Sequence, residues 1–434
     1  MKKHILSIAL VFAALIGSVR GQSANERNTA SQAPNGEALK LPESNEQRNI
    51  LFTKEGRRPL AENAEDAETE EALKRPSRYW GRSEFLLWWL KAPNIPTLVT
   101  MGDYTDLPTP GALDTPGTSV IFGGDRIQYQ DRGGGRFTVG YWLADEHSVG
   151  VEAGYFFLTG RTISRSVYSP GNPVLANPFF NVLTNLQDAS LISYPGISSG
   201  TVTADTRSFL QGFEGNISAN LRHSERCRVE ALGGFRWLNL NERININSVS
   251  VVDIAQQFQG KGLPFNGNTI SVRDGFETRN HFYGGQLGAR VELSHNRFTF
   301  GLVGKVALGV THEIVTIRGS TDINTTPATT QNAGLYALSS NSGRHTTNSL
   351  AFVPETGATL KFQLTERIDL FGGYSFLYWS RVARPGDQID LNINPNLVPT
   401  SSNFGAGGVN QPGFRFRHTD FFAHGANFGV ELRY

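Results

Sequence analysis

Residues 418–434 alternate apolar with small or polar side chains up to the last position. Phe422, Ala426, Phe428, Val430, Leu432 and Tyr434 fall on one face of a strand. Gly425, Asn427, Gly429, Glu431 and Arg433 fall on the other. This is the period of two of a β-strand. In a soluble sandwich such a strand would leave an open apolar edge, which invites aggregation. A barrel closed in lipid removes the edge, because the last strand pairs with the first and every backbone group is satisfied inside the sheet. The constraint is therefore on architecture: all-β, a transmembrane antiparallel β-barrel.

Four hairpins upstream carry the same pattern. Phe137-Val139-Tyr141-Leu143 turns at residues 145–147 and returns as Val149-Val151-Ala153-Tyr155-Phe157. Phe213-Ile217-Ala219-Leu221 turns at 223–226 and returns as Val229-Ala231-Phe235-Trp237. Tyr283-Leu287-Ala289-Val291-Leu293 turns at 294–297 and returns through Phe298, Phe300, Leu302, Val306, Leu308 and Val310. Leu350-Phe352-Ala358-Leu360-Phe362 turns at 365–367 and returns as Ile368-Leu370-Tyr374-Phe376-Tyr378. With strands at 79–90 and 420–434, the count is about ten. Val120-Ile121-Phe122 marks where a further hairpin would make twelve. The connections at about 92–135, 159–205, 244–279, 319–348 and 383–416 are long and rich in Pro, Asn, Gly, Ser and Thr. Short turns alternating with long loops are the asymmetry of outer-membrane barrels, short on the periplasmic side and long outside.

The N-terminus fits export to that compartment. Lys2, Lys3 and His4 precede an apolar run at 5–19, and Val19-Arg20-Gly21 suits cleavage, so residues 1–21 are expected to be a signal peptide. Residues 22–77 are rich in Asn, Glu, Ser and Ala, and read as a disordered acidic periplasmic leader. The barrel is assigned to 78–434. A formal net charge of +1 gives no electrostatic reason to expect nucleic acid as a partner.

On the stripe assigned to lipid, charges are nearly absent. The opposite stripe holds Glu84, Arg136, Glu152, Glu214, Arg228, Glu230, Arg236, Arg290, Glu292, Lys305, Glu355, Lys361, Asp369 and Glu431, with Glu313 and Arg381 further along. A basic residue on the lipid face near the midplane would cost about 2–4 kcal/mol, so these are the candidate lumen-lining residues. Their signs are balanced. They read either as a paired interior filling a narrow barrel or as a charged lining that selects solutes. Trp80, Tyr141, Tyr155, Trp237, Tyr378 and Tyr434 are expected in the interfacial aromatic girdles.

No phosphate-binding loop or zinc spacing occurs, and the single cysteine, Cys227, forms no cluster, so no cofactor is expected. A lipid-embedded hydrolase would need a histidine with a carboxylate at the outer rim. His281, His345 and His418, the last near Asp420, are the residues to inspect. His147, His223 and His295 fall in short turns, and His312 toward an outer strand end.

Two segments carry a resemblance. Glu84-Phe85-Leu86-Leu87-Trp88-Trp89 followed by Pro96-Thr97-Leu98-Val99-Thr100, and residues 374–390 with Asn394-Pro395 and Val398-Pro399, resemble a planctomycete family of outer-membrane β-barrel proteins. The resemblance implies an outer-membrane barrel of unassigned molecular function and supplies no catalytic residues. Phe428, Val430, Leu432 and Tyr434 resemble the terminal signal read by the bacterial barrel-assembly machinery, an expected partner beside outer-membrane lipid. The residues order three readings. First comes a non-enzymatic structural or surface-interaction barrel with an extracellular ligand for its loops, then a narrow passive pore, then an outer-membrane hydrolase.

Overall fold

The computed structural model describes residues 78–124, 131–144, 147–224, 226–252, 268–324 and 327–434. The expected signal peptide and leader, and turn residues Asp145, Glu146 and Glu225, lie outside the described residues.

Ten strands make the wall: β1 (Tyr79–Leu90), β2 (Arg132–Trp142), β3 (Val149–Ser169), β4 (Ser198–Ser224), β5 (Cys227–Val252), β6 (Thr269–His295), β7 (Phe298–Ile323), β8 (Gly343–Gln363), β9 (Ile368–Ala383) and β10 (His418–Arg433). Each is antiparallel to its neighbours in sequence. β10 pairs with β1, with Phe85 opposite Phe428 and Leu87 opposite Ala426, and the ring closes. Tyr79 and Tyr434 exchange backbone hydrogen bonds of 3.0 and 2.8 Å at the seam. The alternation dictates the faces. Phe137, Val139, Ile217, Leu287, Leu302, Leu308, Leu350, Phe428 and Leu432 are all exposed on the outside, as a wall bathed in hydrocarbon requires. Trp80 departs from expectation. It sits on the inward face of β1 with Arg82, and lines the short-turn mouth instead of a girdle.

The long connections are not loops throughout. β4, β5, β6 and β7 run 26 or 27 residues and β3 and β8 run 21, whereas β1, β2, β9 and β10 have 11 to 16. Much of the expected loops at 159–205, 244–279 and 319–348 is therefore strand continuing past the membrane. Val202, Ala204, Ile244, Ile246, Phe276, Val315 and Ile317 are buried on the concave side of this tall wall. Against them packs a second, smaller sheet built from the remaining connections: Val99–Gly102, Ser119–Phe122, Val174–Asn181, Leu186–Leu191 and Asn392–Ile393. Ile95, Leu98, Leu175, Phe179, Tyr336, Ile389 and Ile393 join the same core. The Val120–Phe122 signal thus belongs to this cap, and the barrel keeps ten strands.

Candidate functional site: lumen and external cap

The inward residues of β5 run, from the short-turn end upward, Arg228, Glu230, Leu232, Gly234, Arg236, Leu238, Leu240, Glu242, Ile244 and Ile246. That order is the section through the molecule: charge, apolar plug, one buried ion pair, cap core.

In the charged layer, eight carboxylates (Glu84, Glu152, Glu214, Glu230, Glu292, Glu355, Asp369, Glu431) meet eight cations (Arg82, Arg136, Arg228, Arg236, Arg290, Lys305, Lys361, Arg433). Arg290 reaches Glu152 and Glu230, both at 2.9 Å. Arg228 reaches Glu230 at 2.7 Å, and Lys361 reaches Glu292 and Glu431 at 2.8 Å each. Arg82 reaches Glu431 at 2.6 Å, and Arg433 pairs with Asp369. Higher up, Lys305 and Arg236 hold Glu214 at 2.7 and 2.6 Å, while Arg236 and Arg136 hold Glu355. Glu84 stands across the ladder from Arg136. Desolvating charges is costly unless each finds a partner, and this equal count lets every strand contribute to the layer with its signs balanced. Below the pairs, at the short-turn mouth, lies a vestibule of about 510 Å³ lined by Trp80, Arg82, Arg228, Arg297, Asp369 and Arg433 among others.

Above the charges the lumen is mostly apolar, with Arg132 of β2 buried across the ladder from Trp88 and donating to the Ser208 carbonyl at 2.8 Å. Leu86, Trp88, Leu90, Phe156, Leu158, Leu210, Leu238, Leu240, Phe282, Val353, Leu377, Trp379 and Phe421 form one buried cluster across it. The two indoles are fully buried, and their N–H groups are satisfied: Trp88 donates to Asn427 at 2.7 Å and Trp379 to Thr311 at 2.9 Å. The inward face is therefore not charged or small throughout. Its upper half is a hydrophobic plug.

Over the plug, β9 bulges between Trp379 and Val382, and its end, still paired with β10, is met by a residue of β6. There Asn280 of β6 donates to the Ala383 carbonyl at 2.8 Å and accepts its N–H at 2.7 Å. Arg384 then meets Glu242 through two 2.7 Å hydrogen bonds and donates to the Lys91 carbonyl at 3.0 Å, under the Phe421 ring. Both side chains are essentially inaccessible, at 2% and 1% exposure. Gly386 follows, where an added Cβ would stand 1.9 Å from the Asn94 carbonyl oxygen. The segment holding Arg384, Pro385, Gly386 and Asp387 is thus a latch buried in the mouth.

Asp274, on the part of β6 above the membrane, ties the cap to the wall. Its carboxylate accepts the N–H groups of Leu335 (3.0 Å), Tyr336 (2.9 Å) and Ala337 (2.7 Å). Burial pushes its carboxyl up to about 6 against the pull of those three donors. The Tyr336 hydroxyl donates to the Pro178 carbonyl at 2.9 Å.

The histidines singled out for a hydrolase, and their neighbours, take separate partners. The outward apolar stripe of β7 ends at Val310, and His312 above it pairs with Asn348 at 2.7 Å. His418 turns to Glu313, with Nδ1 3.0 Å from Oε2, while Asp420 is held by Lys91. Burial pushes the Glu313 carboxyl up to about 7, with Arg381 pulling the other way. Burial and Arg381 hold His418 below its ordinary value. His281 pairs with Asn239 at 3.1 Å. His345 stacks on Phe414 at 3.7 Å. Among the described residues, no group of three or more His, Cys, Asp or Glu side chains is placed to hold a metal ion.

Three features escaped the sequence reading: the plug, the Arg384–Glu242 pair and the Asp274 anchor. The plug alone had a visible signal, since Leu86-Leu87-Trp88-Trp89-Leu90 is apolar on both faces of one strand.

A closed ten-stranded ring with an apolar outer belt, short turns at one end and an elaborated opposite end defines an outer-membrane β-barrel protein. Residues 80–434 match the family described as "Putative beta barrel porin-7", and the chain belongs to it. Among solved structures, the chain is similar to the outer membrane protease OmpT from Escherichia coli, with 8% identity and a TM-score of 0.39 over 83% of this chain and 97% of that one. It is also similar to a Pseudomonas aeruginosa FadL homologue, with 8% identity and a TM-score of 0.22 over 82% and 90%. The translocator domain of autotransporter NalP from Neisseria meningitidis gives 9% identity and a TM-score of 0.19 over 85% and 93%. No curated protein matches.

Proposed function

We propose that this outer-membrane protein is a sealed, non-enzymatic barrel that serves as a structural or surface-interaction component, its external cap doing the work. The observation that carries this reading is the filled section of the lumen, where a paired charge layer lies beneath the buried Trp88–Phe282–Trp379 plug and the Arg384–Glu242 latch. A solute would have to desolvate through the plug and displace the latch together. What favours the non-enzymatic reading at the rim is that His418 faces a fully buried Glu313, while Asp420 is held by Lys91. On this reading the first 21 residues direct secretion, residues 22–77 stay in the periplasm, and the terminal strand with Tyr434 engages the assembly machinery. The family is the planctomycete one resembled by residues 84–89 and 374–390.

The test is conductance. The chain from residue 22 to 434 is refolded into planar lipid bilayers, with folding checked by heat-modifiable migration. A silent bilayer is expected. Discrete, stable conductance steps from folded protein would overturn the sealed reading in favour of a narrow pore.

A further inference from the structure

The cap carries a groove of about 600 Å³ between the 181–190 segment, the 395–403 connection and Thr109. That volume lies within the roughly 300–1,000 Å³ of small-ligand sites. Its walls are lined by amides and hydroxyls, among them Gln187, Ser190, Asn396, Thr400, Ser401 and Asn403. Among the described residues, no lysine or arginine lines it, and Asp188 is its single charged side chain. Phe179, Leu335 and Val398 are buried at its base, and Leu183 and Leu186 stand exposed at the lip.

One pair at the back is built rather than incidental. Asn181 donates its side-chain amide to Asp188 at 3.0 Å, and both residues are only 7% exposed. The Asn181 carbonyl oxygen accepts from the Leu183 N–H at 3.0 Å, and Asp188 accepts from the Ala189 N–H at 2.8 Å. A planar amide and a carboxylate are therefore fixed in orientation before any ligand arrives, which lowers the ordering cost of binding.

We propose that this groove binds an uncharged saccharide. The walls offer donors and acceptors together, as a ring of hydroxyls requires. The exposed leucines suit the apolar C–H face of a pyranose. An apolar ligand would strip water from the amides and hydroxyls without replacing those bonds. Among the described lining residues an anion meets a carboxylate and no cation, and a polycation meets a single carboxylate. This inference rests on the reading of the cap as the working surface and names what that surface takes.

The experiment uses the folded chain from residue 22 to 434 in detergent micelles, titrated by saturation-transfer NMR and calorimetry. The probes are maltohexaose, cellohexaose, mannohexaose and chitotetraose, with tetragalacturonate and the uncharged peptide Thr-Val-Thr-Val-Ser-Val as rivals. Saturable binding of at least one neutral oligosaccharide is expected. Ser401→Trp, which fills the groove from its wall, should weaken it at least tenfold with the barrel still heat-modifiable. Gln187→Ala, a smaller change at the surface, should weaken it several-fold. Failure of all four neutral probes, equal affinity in Ser401→Trp, or preference for the tetragalacturonate or the peptide would each overturn the assignment. Bilayer conductance reports separately: a silent barrel without saccharide binding sinks this inference alone, and a conducting barrel that binds saccharide sinks the sealed reading alone.

Discussion

Arg384 and Glu242 offer the sharpest test of whether the mouth of the barrel is dry. Two 2.7 Å hydrogen bonds join side chains at 2% and 1% exposure, 142 residues apart in sequence. Arg384→Met leaves the Glu242 carboxylate buried opposite a thioether, and Glu242→Leu leaves the guanidinium without that carboxylate, still on the Lys91 carbonyl and against the Phe421 ring. Removing one partner of a buried pair costs about 3–5 kcal/mol, mostly for stranding the other charge. Replacing both removes two desolvation costs with the attraction, so the double variant should match the wild type or exceed it by about 1–4 kcal/mol. The double-mutant cycle should therefore give a coupling of at least about 6 kcal/mol. The assay is urea unfolding of the refolded barrel in lipid vesicles, followed by tryptophan fluorescence, since Trp379 and Trp88 lie in the plug just below. The slope with denaturant should stay constant, so that midpoint shifts report stability. If each single variant costs under about 1 kcal/mol, the pair is screened by water. The latch is then open to solvent, and the sealed section fails at its narrowest point.

Two further predictions concern the rim. Glu313 folds with its carboxyl pushed up to about 7 from an ordinary 4.5. Its stabilising contribution is complete below pH 4.5 and lost as pH rises through 7, approaching about 3 kcal/mol at about 1.4 kcal/mol per pH unit. Glu313→Gln should therefore gain on the wild type between pH 5 and 8 in urea midpoints; parallel profiles would refute it. Gly386→Ala forces a Cβ against the Asn94 carbonyl and should cost about 1–3 kcal/mol by overpacking. It should also expose the 384–417 segment to protease while the ring stays heat-modifiable. An unchanged cleavage pattern would mean the latch is not seated there.

The ring was legible because lipid and the backbone leave few options. Every hairpin pairs a period-two stripe with a turn of a few residues, and the stripe from Phe298 to Val310 can sit only one way in a membrane. Above the membrane the rule inverts. Residues such as Thr201-Val202-Thr203-Ala204 and Asn245-Ile246-Asn247-Ser248 still alternate, but the outer face is wetted and polar, so they pass for loop. The lumen candidates could be named from their stripe, whereas their partners could not: which glutamate an arginine meets depends on register across neighbouring strands. Arg384 lies within residues 374–390, but nothing local points to Glu242.

The unequal strands give the molecule a front and a back. From the top of the belt near Tyr283 to Thr269, β6 continues for 14 residues, a rise of roughly 35 Å at ordinary strand spacing and tilt. Among the described residues, the strands of the β9–β10–β1–β2 side make no such screen. A body gliding along the cell surface toward one flank meets a blank curtain of paired backbone. Toward the other flank it meets the cap directly. Rotation of the barrel in the membrane therefore turns a directional face, and a neighbour's angle of approach decides what it can touch.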